Sequence, residues 1–332
     1  MHYNIRHVTR FTYESAISES VMEARMQPRT DATQRCLHFG LSTQPASRVM
    51  MYQDHQGNVV HHFNIPGRHS QLTVTAEALV ACSAPVGPSS AADSVAHLLH
   101  PAITPASGSW ERLDALTSSG EFWDVLNSSP FARRTAHLDA FSGEIGLCRN
   151  HDPFVTVRQL TADIYKRFEY SPLSTRVDSP IDDALETRRG VCQDFAHIMI
   201  ALVRGLGIPC RYVSGYLFQQ GEDDVRSIDG ATHAWVEVLM PDLGWIGFDP
   251  TNNLMTGDRH IRVAVGRDYS DVPPTRGVYK GVSAVRTELA VGVRVGPALA
   301  SFTGDAPPFV PWMSRDAAAP LSSGDQKQQQ QQ

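Results

Sequence analysis

The chain has 332 residues, 42% of them hydrophobic and 19% charged, with a formal charge of -6 at neutral pH. That length exceeds one small domain and the apolar fraction can fill a sizeable core, so two or three compact units are expected. The acidic balance and the lack of a long basic run argue against nucleic acid as the main partner, and no apolar run reaches the roughly 18 residues of a membrane span.

Residues 1 to 83 read as a β-rich region. Tyr3, Ile5, His7, Thr9, Phe11 and Tyr13 alternate with Asn4, Arg6 and Arg10, the period of a half-buried strand. Leu37, Phe39 and Leu41 repeat the pattern, and so do Leu72, Val74 and Ala76. Gly57-Asn58, between Met50-Met51-Tyr52 and Val59-Val60, suits a hairpin turn. Several short strands without a helical pattern suggest a β-sandwich. Residues 84 to 109, rich in Pro, Ser, Gly and Ala, read as a linker with room for a short helix at Val95 to Leu99.

Helical patterns follow in a core spanning 110 to 295. Val157, Leu160, Ile164 and Phe168 share one helical face. Ser179-Pro180, with Asp182 just beyond, marks a helix start, and that helix is expected to stop at Gly190. The next helix begins at or beside Cys192, carries a stripe of Phe195, Ile198, Met199, Leu202, Val203 and Leu206, and ends at Gly205 to Pro209. Two strands, Cys210 to Phe218 and His233 to Met240, flank an acidic loop. A tight connection at Pro241 to Gly244 leads to a strand at Trp245 to Asp249, and Leu289 to Val295 reads as one more. Residues 296 to 332 turn Pro/Ala/Ser-rich, close on glutamines and read as a mostly disordered tail.

Five cysteines, at 36, 82, 148, 192 and 210, are widely spaced and include no Cys-x-x-Cys pair. Neither a disulfide framework nor a structural zinc cluster is expected, and no apolar signal core follows Met1. The expected location is therefore the reducing cytoplasm, where a free thiol can act as a nucleophile.

Cys192 at the front of its helix is the chemically loaded position. Helix-terminal N–H groups and the helix dipole favour a thiolate, and the same N–H groups can stabilise an oxyanion on an attacked carbonyl. A thiol, an imidazole and a carboxylate together make a nucleophile, a base and an orienter, and His233 and Asp249 are the candidates for the last two. Pairing of the two strands with Leu239 opposite Trp245 puts Asp249 opposite Trp235, one diagonal step from His233 and on its side. Pairing with Met240 opposite Trp245 turns Asp249 to the other face. Each residue also has an ordinary reading: Cys192 as a small buried hydrophobe, His233 as a core or surface histidine, Asp249 as a turn residue before Pro250. Cys210 reads as structural. His197, five residues after Cys192, points to another side of the helix and reads as packing. A zinc site from Cys192, His197 and His233 matches no common ligand spacing, and Glu222-Asp223-Asp224 lacks the spacing of a calcium loop.

The segments Gly190-Val191-Cys192-Gln193-Asp194-Phe195-Ala196, Thr232-His233-Ala234-Trp235 and Gly244-Trp245-Ile246-Gly247-Phe248-Asp249-Pro250 resemble the catalytic blocks of the bacterial transglutaminase-like superfamily of papain-type thiol enzymes. Tyr3 to Tyr13 and Met26-Gln27-Pro28-Arg29 resemble the β-rich region that accompanies that core in bacteria. The resemblance implies an α+β protein, with an N-terminal β-sandwich-like domain ahead of the papain-like core. It implies Cys192 as nucleophile, His233 as general base and acid, and Asp249 as orienting carboxylate. It also suggests an upstream group that helps hold the oxyanion, for which Tyr170 is the candidate.

The expected chemistry is acyl transfer through a thioester, without cofactor or metal, on a peptide or protein amide. Release by water makes a peptidase or amidase, release by an amine makes a transamidase, and a peptide-binding module of the same fold that no longer cuts is the remaining reading. No nucleic-acid or membrane partner is expected, and the oligomeric state is left open.

Overall fold

The computed structural model describes residues 1–83, 109–150, 152–172, 174–219, 226, 230–281 and 286–298. The linker at 84–108, its proposed helix at Val95 to Leu99, the acidic Glu222 to Asp224 and the tail beyond 298 lie outside these residues. The protein is mixed α/β, with a strand-rich N-terminal region and a helix-and-sheet core.

The alternation that begins at Tyr3 persists much further than the short strands read from it. Strand β1 spans His2–Ala24 and β4 spans Val59–Cys82, and the two pair antiparallel along most of their length. Between Thr12 and Glu19 the register slips, which bends a ladder of this kind. The sheet is thereby divided. The first half of β1 also pairs with β13 (Thr287–Pro297), and the facing half of β4 with β2 (Gln34–Gln44). The second half pairs with β12 (Thr275–Lys280), and β4 there with β3 (Val49–Gln53) across the hairpin closed by Gly57. Met22, Ala24, Phe63 and Ile65 from one half share an apolar cluster with Leu72, Val74 and Ala76 from the other. The two halves of the bent sheet thus pack on one shared apolar core. The sheet's far end, at Tyr3, Ile5, Ala78 and Val80, merges with the main core.

Strands β12 and β13 lie within the stretch read as the core, yet both pair with β1. Gly296 and Pro297, read as tail, still face Asn4 and Tyr3. Sequence neighbourhood does not decide this, because an edge strand joins whichever sheet offers it unpaired backbone groups.

In the core, after the short helices α1 (Ser109–Thr117), α2 (Trp123–Leu126) and α3 (Ala136–Glu144), Asp152 caps α4 (Pro153–Arg167) by accepting from the N–H groups of Phe154 and Val155. Helix α5 covers Ile181–Thr187. Its N-cap is Pro180, while Ser179 Oγ accepts from the Arg176 N–H instead. The helix stops before Gly190 because Arg188 takes a left-handed conformation (φ 56°) with its guanidinium over the Phe141 ring. Helix α6 covers Cys192–Gly205. Phe195, Ile198, Met199, Leu202 and Val203 on it are buried, and it packs against strands β7 (Cys210–Leu217) and β8 (His233–Met240). The sheet behind it runs β10-β9-β8-β7-β11, with β9 at Gly244–Asp249, β10 at Leu254–Met255 and β11 at His260–Gly266. Among the described residues no helix is long and apolar enough to cross a membrane.

Candidate active site

Cys192 is the first residue of α6 and is buried. Three contacts set the chain's entry into that helix. Val191 at the N-cap is extended, and its N–H donates to Asp194 Oδ2 at 2.8 Å, the carboxylate arm of a capping box. Thr175 Oγ1 donates to the same oxygen at 2.6 Å. Gly190 is required by close approach: a Cβ there would sit 2.9 Å from Asp194 Oδ2 and 3.1 Å from the Phe195 ring. Burial pushes the Asp194 carboxyl up to about 6, against the pull of its two donors. As the leading residues of the helix, Cys192 and Gln193 have N–H groups with no carbonyl one turn back.

His233 opens β8 opposite Gly215 of β7. Gly215 leaves room that a side chain would take from the Trp235 indole and the Ile261 carbonyl. Trp235, two residues on and on the same face, is fully buried against His233. Strands β8 and β9 pair with Leu239 opposite Trp245 and Val236 opposite Phe248, so Asp249 falls on the His233 side. His233 Nε2 meets Asp249 Oδ2 at 2.8 Å. The carboxylate is fully buried and accepts four more bonds. Thr251 N–H (2.9 Å) and Asn252 N–H (3.2 Å) reach Oδ1, while Asn252 Nδ2 (2.8 Å) and His260 Nε2 (3.3 Å) reach Oδ2. Pro250 directs the chain into the turn that supplies the first two.

These contacts fix the charges. Burial would raise the Asp249 carboxyl, but the His233 charge and the bonds from both imidazoles hold it well below the usual carboxylate range. Burial would lower His233, but the Asp249 charge, the Asp249 bond and the Cys192 sulfur outweigh it and raise the imidazole to about 10. Asp249 takes Nε2. The buried Nδ1 has no hydrogen-bond partner among the described residues, and the Cys192 thiol is near enough to act on the imidazole. The pair thus favours the imidazolium form of His233 beside an ionised Asp249.

The other sequence candidates fall elsewhere. Tyr170 lies three residues beyond the end of α4. It lies in the two-residue strand β5 (Glu169–Tyr170), parallel to β6 (Arg189–Gly190), with its backbone opposite Gly190. Its ring is half-buried and borders a cavity of about 580 Å³ together with Lys166, Arg167, Arg188 and Arg226. His197 is a core residue stacked on Phe131 at 5.4 Å, and its Nε2 accepts from the Tyr269 N–H. Burial drops its pKa to about 4. Cys192, His197 and His233 do not form a converging ligand set. Among the described residues the set that does is His233, Asp249 and His260, whose ligand atoms lie within 4.8 Å of one another. All three are tied together by the hydrogen bonds of both imidazoles to the Asp249 carboxylate.

Sequence reasoning missed His260, Asn252 and the cap formed by Asp194. The first was hidden because β11 was not read as a strand. The other two had local signals: a carboxylate three residues after an N-cap, and an amide three residues after an aspartate in a turn.

The core model of the transglutaminase-like superfamily matches residues 146–250, and that of the bacterial transglutaminase-like N-terminal region matches residues 3–81. Uncharacterized protein ML0607 of Mycobacterium leprae is 33% identical over 288 residues, covering 86% of this chain and 96% of that protein. Uncharacterized protein Rv2569c of Mycobacterium tuberculosis is 34% identical over 315 residues, covering 92% and 94%. A protein-glutamine gamma-glutamyltransferase of Pseudomonas aeruginosa is 37% identical over 106 residues, 28% of this chain and 15% of that one. Among solved structures, a "Putative Cysteine Protease" from Cytophaga hutchinsonii has the same fold, with a TM-score of 0.64 at 20% identity over 91% of this chain and 92% of that one. The chain belongs to the transglutaminase-like superfamily and carries the bacterial N-terminal region of that family.

Proposed function

We propose that the protein is a thiol amidohydrolase, a cysteine peptidase or amidase, in which Cys192, His233 and Asp249 act as nucleophile, acid–base and orienter. The observation that carries this reading is the buried His233–Asp249 pair at 2.8 Å, with the Cys192 thiol at the front of α6 near enough to act on the imidazole. The sulfur, as thiolate, attacks an amide carbonyl. The oxyanion forms at the helix N-terminus, where N–H groups have no carbonyl partners of their own. The His233 imidazolium gives its proton to the leaving amine, and a Cys192 thioester remains. Water, deprotonated by the now neutral His233, then attacks the thioester; collapse of that intermediate releases an acid and restores the thiolate–imidazolium pair. Asp249 stays ionised throughout and stabilises the imidazolium. Tyr170, beside Gly190, is the residue we assign to help hold the oxyanion.

A second reading, transamidation, has its own support in the 37% identity to the Pseudomonas glutamyltransferase over 106 residues. The same thioester would then pass to a primary amine. One experiment separates the two: incubation with a peptide library and a labelled amine, followed by mass spectrometry. Cleavage or deamidation supports hydrolysis, and amine incorporation supports transfer. Cys192→Ala is expected to abolish every product and the thioester while keeping the circular dichroism spectrum. Turnover in that variant would refute the assignment of the nucleophile.

A further inference from the structure

We propose that His260 is a positioning residue for this reaction: its Nε2–H shares the Asp249 Oδ2 oxygen with His233 and draws charge from it, so that the His233 imidazolium yields its proton more readily. The inference rests on the thiol-enzyme reading for its meaning in catalysis, but its physical content is separate from that reading.

Asp249 accepts five donors, while a carboxylate offers about four lone-pair positions. Three of the five converge on Oδ2, so the donors there compete for one oxygen. His233 holds it at 2.8 Å and His260 at 3.3 Å. His260 reaches it from β11, two strands from β8, its ring lying against the Trp235 indole that fills the space over Gly215 on the intervening strand. Its proton is placed for the task. Nδ1 accepts a long bond from the Gly257 N–H (3.4 Å), so the hydrogen sits on Nε2 and points at Asp249. The ring is fixed edge-on against Trp235, with centroids 5.3 Å apart.

The groups that face His260 agree with a neutral donor. Burial lowers it, Asp249 pulls it the other way, and His233 and Arg259 are the cations that act on it. The residue opposite on β7 is the apolar Leu217, and from α6 the Cys192 thiol acts through His233. A neutral ring bonds the carboxylate without adding a charge. In a site closed to water a bond of this kind competes strongly.

The test is an NMR titration of the full chain with isotope-labelled histidine, the His233 resonance being assigned by its loss in His233→Gln. In His260→Phe, which keeps a ring against Trp235 but has no N–H, His233 is expected to titrate roughly half to one pH unit higher, the scale of a long hydrogen bond to a charged acceptor. In His260→Gln, whose side-chain amide can donate from the same place, the midpoint returns towards wild type. His260→Met serves as the N–H-free variant should the Phe variant not fold. With an active substrate, the alkaline limb of kcat/KM moves with the midpoint, and kcat changes more than KM. An unchanged or lower midpoint in the N–H-free variants would overturn the proposal, and so would a Gln variant that behaves like Phe. The titration needs no substrate. A wild type that turns nothing over would sink the enzyme reading and leave the effect on His233 readable.

Discussion

A buried imidazolium is stable only beside a buried anion, and Asp249 is that anion for His233. Asp249→Asn removes the charge while keeping the shape, and it offers an amide where the ring needs an acceptor. By analogy with other acid–base dyads, kcat/KM should fall on the order of 10³- to 10⁴-fold. A loss of less than tenfold, measured on any substrate found, would show that the pair does not orient the base. The same pair sets a pH dependence of stability. His233 is raised to about 10 in the folded protein, from roughly 6.5 in an unfolded chain. Its contribution is therefore complete below pH 6.5 and is lost as the pH rises through about 10. The urea midpoint should decline from pH 7 to pH 10 in the wild type and much less in Asp249→Asn. A decline of equal size in both would assign it to other groups.

Among the elements, β7 carries a demand that no propensity table records. Gly215 lies mid-strand, where glycine is normally a weakness, because the Trp235 indole and the Ile261 carbonyl occupy the volume of a Cβ. Gly215→Ala is expected to cost about 1–3 kcal/mol, the range for overpacking a filled core, and to disturb His233 through Trp235. Urea unfolding with a parallel measurement of Cys192 alkylation checks both. Full stability in that variant would mean the strand can shift without harm. Helix α6 shows a similar economy at its entry, where one carboxylate, Asp194, caps the helix, and Gly190 makes room for it.

For the molecule as a whole, the first strand and the last described strand are partners. Tyr3 to Tyr13 faces Pro297 to Thr287 on one side, and Tyr3 to Thr12 faces Val80 to Gln71 on the other. Val291 and Val293 are buried in the main core with Tyr3 and Ile5. Truncation after residue 286 would leave one flank of β1 unpaired and open that core, so loss of cooperative unfolding is expected. Removal of residues 305–332, a stretch of Pro, Ala, Ser and Gln, is expected to leave the melting temperature nearly unchanged. Scanning calorimetry of the two truncations decides. Equal loss in both, or in neither, would contradict this division of the C-terminal region.

Much of the candidate site is legible in the sequence, because its signals are local. A cysteine after Gly-Val at the start of an amphipathic run, a histidine opening an apolar strand and an aspartate before proline each stand in a short segment of distinctive pattern. The register between β8 and β9 could be narrowed to two choices by the period of a strand, and packing selected the one with Leu239 opposite Trp245. What remained hidden depends on distant neighbours. His260 meets Asp249 only because β11 is added beside β7, and β12 and β13 join β1 although they follow the core in the chain. Alternation, caps and turns are written within a few residues of one another. Which edges pair and which side chain enters a gap are set by the volumes and unpaired hydrogen bonds of segments hundreds of residues apart, and these come together only on folding.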